Sequence, residues 1–190
     1  MKSSSPDSSH RPKLILTLTV ISMGISIVII APVSYIIFGD IHEGGHALAC
    51  LARGGHVGGF SGWLHGVMPY TRHPATDCSI KPFPAPVWAA GALTSIINWF
   101  ATAYIVSLLL DAAIIKPAFL WRVFWGCWSL WFLMELFAEV QHAYAPPSVW
   151  EDSTQFVHVT GINPNFVALP LAAVFVIALF VGWRIMNRLW

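Results

Sequence analysis

The stretch His42-Glu43-Gly44-Gly45-His46 lies between two apolar runs, Val33–Phe38 and Ala47–Ala52. On an α-helix, residues four positions apart point to the same face, so His42 and His46 project together. Two imidazoles at this spacing can bind one metal ion, and Glu43 lies beside them, where it can act on a water bound to that ion. The flanking apolar runs predict that this helix lies in a membrane, where ionisable side chains are costly and usually functional. The stretch therefore predicts a metal site inside a membrane-embedded helix.

The composition indicates a membrane protein. Of the 190 residues, 56% are hydrophobic and only 10% are charged, which excludes a disordered chain and an ordinary soluble domain. The formal net charge of +1 gives no electrostatic basis for binding nucleic acid. The three cysteines, Cys50, Cys78 and Cys127, are scattered without a C-x-x-C pair. They are therefore predicted to be packing residues rather than a disulfide framework.

The chain is predicted to be an all-α polytopic membrane protein with four to five transmembrane helices in a lipid bilayer. Residues 1–12 are a polar tail, predicted to be disordered, and residues 13–190 form a single transmembrane domain. A helix break is expected at Pro32, because proline removes a backbone donor and clashes with the preceding turn. The Gly- and Pro-rich segment 54–84 fits no span and is expected to be re-entrant or to contain a short β strand. The expected helices cover approximately 13–31, 33–53, 85–110, 118–144 and 166–187.

The distribution of basic residues favours one orientation in the membrane. With four crossings, both termini and the turn at 111–117 lie on the same side, together with seven of the ten basic residues. With five crossings the split is six to four. Because cytoplasmic segments carry an excess of Lys and Arg, four crossings with a cytoplasmic amino terminus are favoured.

A second group of ionisable residues lies near the end of the span expected at 118–144. Glu135, Glu139 and His142 fall at i, i+4 and i+7, so they share one helix face, which we call the polar stripe. A stripe of this kind inside an apolar helix predicts contact with the metal site, either directly or through the ligands of the ion.

The order of these elements resembles that of the site-2 protease family, which are intramembrane zinc metallopeptidases. The run 41–49, Ile-His-Glu-Gly-Gly-His-Ala-Leu-Ala, is similar to the zinc helix of that family. The small-residue run 90–95 is similar in position to its Gly-Pro-containing span, with Ala92 where proline is usual. The family's third zinc ligand is an aspartate, commonly followed by glycine, and the nearest match here is Asp152, which Ser153 follows.

The resemblance implies hydrolysis of peptide bonds in a membrane protein or peptide substrate. It implies one Zn²⁺ per chain, held by His42, His46 and Asp152. Glu43 would take a proton from zinc-activated water as that water attacks the peptide carbonyl, and would then donate it to the leaving amine. From the residues alone, the third ligand stays open between Asp152 and the polar stripe.

Two other functions fit the same residues. The chain could be a non-catalytic subunit of a larger membrane complex that keeps the motif as a metal or structural site. It could also be a di-iron carboxylate oxidoreductase, because the pairs Glu43/His46 and Glu139/His142 both have the E-x-x-H spacing of such proteins. The number of metal ions per chain distinguishes this oxidoreductase from the peptidase.

Overall fold

The computed structural model describes residues 10–61, 75–115, 119–149 and 151–190. The elements in chain order are α1 (His10–Ala52), β1 (Val57–Ser61), β2 (Ala75–Cys78), α2 (Ala85–Asp111), α3 (Phe119–His142), α4 (Asp152–Thr160) and α5 (Asn165–Leu189).

Four helices in the described residues are long and apolar enough to cross a membrane. These candidate spans are Ile27–Ala52 within α1, Ala85–Asp111, Phe119–His142 and Asn165–Leu189. The sequence-based prediction of an all-α polytopic membrane protein is confirmed, and the number of candidate spans matches the arrangement with four crossings.

The expected helix break at Pro32 is wrong, because α1 continues without interruption from His10 to Ala52. Pro32 is exposed on the surface of the helix. The carbonyl of Ala31, in the same turn, accepts a hydrogen bond from the indole nitrogen of Trp131 on α3 at 2.9 Å. The carbonyl that Pro32 leaves without a helical partner is that of Val28, so this contact does not replace the missing bond but ties the turn around Pro32 to α3. Proline is tolerated in membrane helices that pack against other helices. The helices expected at 13–31 and 33–53 are therefore one helix. This helix begins at His10, so the last residues of the tail that was expected to be disordered are helical. Residues 1–9 of that tail lie outside the described residues.

A two-stranded antiparallel hairpin joins α1 to α2, which confirms the short β structure expected in the segment 54–84. Strand β2 pairs with β1 so that Thr76 lies opposite Phe60. A disulfide between Cys50 at the end of α1 and Cys78 at the end of β2 ties this hairpin to the helix. The prediction that these two cysteines are only packing residues is therefore wrong.

Aromatic side chains form the centre of the helix bundle. Trp99 on α2 stacks on Phe132 of α3 with ring centroids 5.0 Å apart, and Trp125 of α3 packs against the same indole at 5.4 Å. All three are almost completely buried, as is Ala178 of α5. Burial of such large rings stabilises the packing of these helices against one another.

Polar contacts mark the two ends of the bundle. At the end that we call the basic end, Arg122 donates to the carbonyl of Leu189 at 2.5 Å and Arg188 pairs with Asp111 at 2.5 Å. These contacts join the end of α2, the start of α3 and the end of α5. The His42–His46 stretch lies at the opposite end, the motif end, together with the hairpin and α4.

Candidate metal centre

Three side chains from α1 and α4 meet at the motif end. Asp152 Oδ2 lies 3.0 Å from His42 Nε2 and 3.0 Å from His46 Nε2, and the two Nε2 atoms are 3.2 Å apart. The histidines are one turn apart on α1, whereas Asp152 is the first residue of α4. Imidazole nitrogens and a carboxylate oxygen are common metal ligands. The structure thus brings together the three residues that the family resemblance implied as ligands, as a group that could hold a metal ion.

Each imidazole is oriented by a hydrogen bond from its other nitrogen. His46 Nδ1 donates to the backbone carbonyl of Val87 at 2.6 Å, and His42 Nδ1 donates to Glu135 Oε1 at 2.6 Å. A carbonyl oxygen can only accept a hydrogen bond, so His46 carries a proton on Nδ1. The Glu135 carboxylate is also an acceptor, so the same tautomer is assigned to His42. In the neutral rings the lone pairs then lie on the Nε2 atoms, which face Asp152. Proteins use this arrangement to orient metal-binding histidines.

The chemistry of these three atoms fits a cation. With the tautomers above, the two Nε2 atoms and Asp152 Oδ2 are all electron-rich, and such atoms repel one another at these distances unless a cation lies among them. Asp152 Oδ2 is buried and accepts no hydrogen bond from any described residue, so a proton on either ring does not account for its position. A carboxyl group at this position would bind a metal ion as the ionised carboxylate.

The space for such an ion depends on Gly91 of α2. A Cβ atom at this position would lie 2.3 Å from His42 Nε2 and 2.4 Å from His46 Nε2, closer than real atoms approach. On α1, a Cβ at Gly45, the residue before His46, would lie 2.5 Å from the carbonyl of Ala90 on α2. Glycine at both positions therefore lets α1 and α2 approach closely enough to surround the two imidazole tips.

Glu43 lies beside the ligands and is held by the hairpin. Its side chain is buried, and its Oε2 accepts a hydrogen bond from the hydroxyl of Thr76 on β2 at 2.9 Å. The cavity that contains His42 and His46 is also lined by Glu43 and Thr76. The residue predicted to be the general base therefore faces the same space as the predicted metal ligands.

The polar stripe reaches the centre through other residues. Glu135 orients His42, as described above. Glu139 is buried, and its Oε2 accepts hydrogen bonds from the backbone N–H of Ser153 at 3.0 Å and from the hydroxyl of the same residue. Since Ser153 follows Asp152, Glu139 holds the first turn of α4 in the position that brings Asp152 to the two histidines.

Glu139 also belongs to a second group of possible metal ligands, together with His142 and Glu151. His142 Nδ1 lies 4.0 Å from Glu151 Oε2, a looser contact than those among His42, His46 and Asp152. Glu151 is largely exposed. The second group is therefore more open to solvent than the first.

A cavity of about 730 Å³ connects both groups. On one side it is lined by ionisable residues, none of which, among the described residues, is Lys or Arg. The other side is apolar and aromatic and includes Tyr35, Phe38, Trp131 and Met134. The centre thus lies where an apolar surface meets a cluster of carboxylates and imidazoles.

Three contributors to this centre could not be identified from the sequence. The carbonyl of Val87 acts through its backbone, which has no sequence signal. Thr76 lies in the segment 54–84, which was expected only to be re-entrant or to contain a short β strand, and a single threonine carries no functional pattern. Gly91 belongs to a run of small residues that indicates close helix packing, but the sequence does not reveal that imidazoles occupy the space beside it.

No protein-family model matches this chain, and comparisons with curated proteins and with solved structures find no similar protein.

Proposed function

We propose that the protein is an intramembrane zinc metallopeptidase that hydrolyses peptide bonds of membrane-embedded substrates. The observation that carries the proposal is the convergence of His42 Nε2, His46 Nε2 and Asp152 Oδ2 within 3.2 Å of one another, with Glu43 lining the same cavity. Two histidines four residues apart on a helix, with a glutamate directly after the first, form the ligand pair and general base of zinc metallopeptidases. The four candidate spans favour a substrate that lies in the membrane.

Zinc is the metal that this set of ligands favours. Two neutral imidazoles and one carboxylate suit Zn²⁺, and catalytic zinc sites have three protein ligands with the fourth position open. A structural site is instead closed by a fourth protein ligand. Among the described residues, the first group contains only His42, His46 and Asp152. We therefore propose one zinc ion per chain, in a catalytic rather than a structural role.

In the proposed reaction the side chains of this chain hold the ion and move protons. Zinc in this position would act as a Lewis acid and would lower the pKa of a bound water to about 7. Glu43 takes a proton from the attacking water and gives it to the leaving amine. Glu135 and the Val87 carbonyl keep the imidazole lone pairs turned toward the ligand position, and Asp152 supplies negative charge there.

The cavity suits an apolar peptide segment. Its aromatic and apolar wall can contact the side chains of a membrane-spanning peptide, while the peptide carbonyl turns toward the ligands. A carbonyl inside a helix is hydrogen-bonded along the helix axis and shielded from attack. The substrate must therefore unwind locally at the bond that is cut.

Replacement of Glu43 tests the proposal. Glu43→Gln is expected to lower hydrolysis by about 10²- to 10⁴-fold, because the amide cannot accept the proton, while zinc stays bound because all three ligands remain. Zinc is measured by atomic spectrometry of the purified protein. Hydrolysis is measured by mass spectrometry of membrane-spanning peptides reconstituted in the same vesicles. Asp77→Asn, which removes an exposed carboxylate of the hairpin, is the matched control and should retain both properties.

The same measurements distinguish the other candidate functions. A non-catalytic subunit would bind metal but cleave none of the peptides, with or without Glu43. The second group, Glu139, His142 and Glu151, is the observation that favours a two-metal oxidoreductase. Two metal ions per chain, or the optical absorption of iron, would replace the peptidase proposal with that one.

We also propose that the amino terminus lies in the cytoplasm, so that the motif end faces the opposite compartment. Arg122, Arg184 and Arg188 belong to the half of the bundle at the basic end, and cytoplasmic segments are enriched in such residues. The Cys50–Cys78 disulfide lies at the motif end. Disulfides persist in oxidising compartments and are rare in the cytosol, so both features favour the same orientation.

Labelling of single introduced cysteines tests this orientation. In a chain with Cys127→Ser, Ser148→Cys at the motif end is expected to react with a membrane-impermeant maleimide on intact cells, because position 148 is exposed. Ala112→Cys, at an exposed position of the basic end, should react only after the cells are opened. The opposite pattern would place the amino terminus outside the cytoplasm.

A further inference from the structure

Strand β2 turns one face toward α1. Thr76 and Cys78 are buried, whereas Asp77 between them is exposed. Alternate residues of a strand point to the same side, so Thr76 and Cys78 both project toward the helix. Each makes a specific contact there, Thr76 with Glu43 and Cys78 with Cys50.

The disulfide and the hydroxyl contact constrain the same part of the hairpin. Cys50 lies one turn beyond His46 on α1, and Cys78 is two residues beyond Thr76 on β2. A covalent bond so close to Thr76 limits how far the hydroxyl can move away from the helix. The hairpin is thus tied to α1 next to the carboxylate that its hydroxyl contacts.

Thr76 is placed to select one orientation of the Glu43 carboxylate. Its Oγ1 lies 2.9 Å from Glu43 Oε2 and 2.9 Å from the backbone carbonyl of Glu43. A hydroxyl has one proton, which is shared between these two acceptors. The contact fixes Oε2 against the hairpin, and the Glu43 side chain also lines the cavity. Without it, a glutamate side chain on a helix could adopt several other rotamers.

We propose that Thr76, held in place by the Cys50–Cys78 disulfide, is the positioning residue for Glu43. The inference rests on the proposed function, in which Glu43 acts next to a metal ion. Thr76 does not touch the ion or the substrate in this assignment; it determines where the carboxylate of Glu43 lies.

The test measures the position of Glu43 without requiring a substrate. Purified full-length protein is loaded with Co²⁺, whose visible absorption reports its ligands, and is titrated with acetohydroxamate. This probe chelates a metal ion through two oxygens, and its acidic proton passes to a nearby carboxylate. Its affinity therefore depends on the location of Glu43, whereas the affinity for Co²⁺ depends on His42, His46 and Asp152.

Thr76→Val, which keeps the shape of the side chain but removes the hydroxyl, is expected to weaken acetohydroxamate binding by about tenfold, the size expected for loss of a hydrogen bond to a charged group. Its affinity for Co²⁺ should equal that of the unmodified protein. Thr76→Ser, which keeps the hydroxyl, should restore acetohydroxamate binding, and Glu43→Gln should weaken it. The double variant Cys50→Ser/Cys78→Ser should behave like Thr76→Val.

Each other result overturns a defined part of the inference. Normal acetohydroxamate binding by Thr76→Val, with weakened binding by Glu43→Gln, would show that Glu43 needs no help from Thr76. Loss of Co²⁺ binding by Thr76→Val would show that Thr76 supports the whole centre rather than Glu43. Normal binding by the double cysteine variant would remove the disulfide from the proposal. Failure of the unmodified protein to bind Co²⁺, or an unchanged Glu43→Gln variant, would reject the proposed function itself.

Discussion

Asp152→Ala is expected to lower the zinc affinity of the protein by more than about 100-fold, whereas Glu139→Ala should lower it by about 10- to 100-fold. Asp152 Oδ2 lies 3.0 Å from both imidazole Nε2 atoms, so the first change removes one of three proposed ligands. Glu139 instead accepts hydrogen bonds from Ser153, the residue after Asp152. Its removal should therefore affect zinc only indirectly, through the position of α4.

The two variants should show the reverse order in the stability of the zinc-free protein. Glu139→Ala leaves the buried N–H of Ser153 without its acceptor, which costs about 1 to 3 kcal/mol of unfolding free energy. Asp152→Ala removes a carboxylate whose Oδ2 accepts no hydrogen bond from the described residues, so its effect on that free energy should be smaller.

Zinc affinity is measured by competition with a chelating dye, and stability by thermal unfolding in detergent after zinc removal. His46→Ala serves as the reference for the loss of a ligand and should lower the affinity at least as much as Asp152→Ala. A larger loss of zinc with Glu139→Ala than with Asp152→Ala would move the third ligand to the polar stripe. That result would also strengthen the two-metal alternative, because Glu139 belongs to the second group of possible ligands.

The parts of the centre that the sequence predicted are those that depend on local geometry. His42 and His46 share a face because any α-helix places i and i+4 together, so their proximity follows from the helix alone. The polar stripe could be recognised for the same reason. Asp152 lies far along the chain, and only the resemblance to a known family pointed to it. No local rule predicts that α4 brings this carboxylate to the histidines.

The wrong predictions concern interactions between distant segments. The break expected at Pro32 followed from the properties of an isolated helix, and the contact of Trp131 with the Ala31 carbonyl could not be foreseen. Pairing of Cys50 with Cys78 requires the hairpin to fold back on α1, and a separation of 28 residues carries no signal of that. In both cases the deciding partner comes from another element.

Gly91→Ala is expected to lower zinc affinity by more than about 100-fold while the zinc-free protein still folds, an effect at least as large as those of ligand-orienting residues. The added Cβ would lie 2.3 Å from His42 Nε2 and 2.4 Å from His46 Nε2. Both atoms are at the ends of side chains, so the rings can turn away from the methyl group. Turning away moves their lone pairs out of the position that faces Asp152, and the three ligands can no longer converge.

The stability of the zinc-free protein separates this effect from misfolding. Alanine is favoured over glycine inside a helix by up to about 1 kcal/mol, but the turned rings give up their hydrogen bonds to Val87 and Glu135, which contribute about 0.5 to 1.5 kcal/mol each. The unfolding free energy of Gly91→Ala should therefore fall by no more than about 2 kcal/mol. Gly126→Ala on α3 is the matched control, because its Cβ would meet only the flexible end of Met186 at 3.4 Å. That variant should keep both its stability and its zinc.

Gly91 therefore offers a test of the metal centre that changes none of its ligands. Zinc affinity is measured by the same dye competition, and Gly91→Ala and Gly126→Ala are compared side by side in thermal unfolding. If Gly91→Ala bound zinc as tightly as Gly126→Ala, the two Nε2 atoms could not both point toward the ion from their present positions. The proposed ligand set would then fail even if His46→Ala also lost zinc, because the ion would have to lie elsewhere around the histidines.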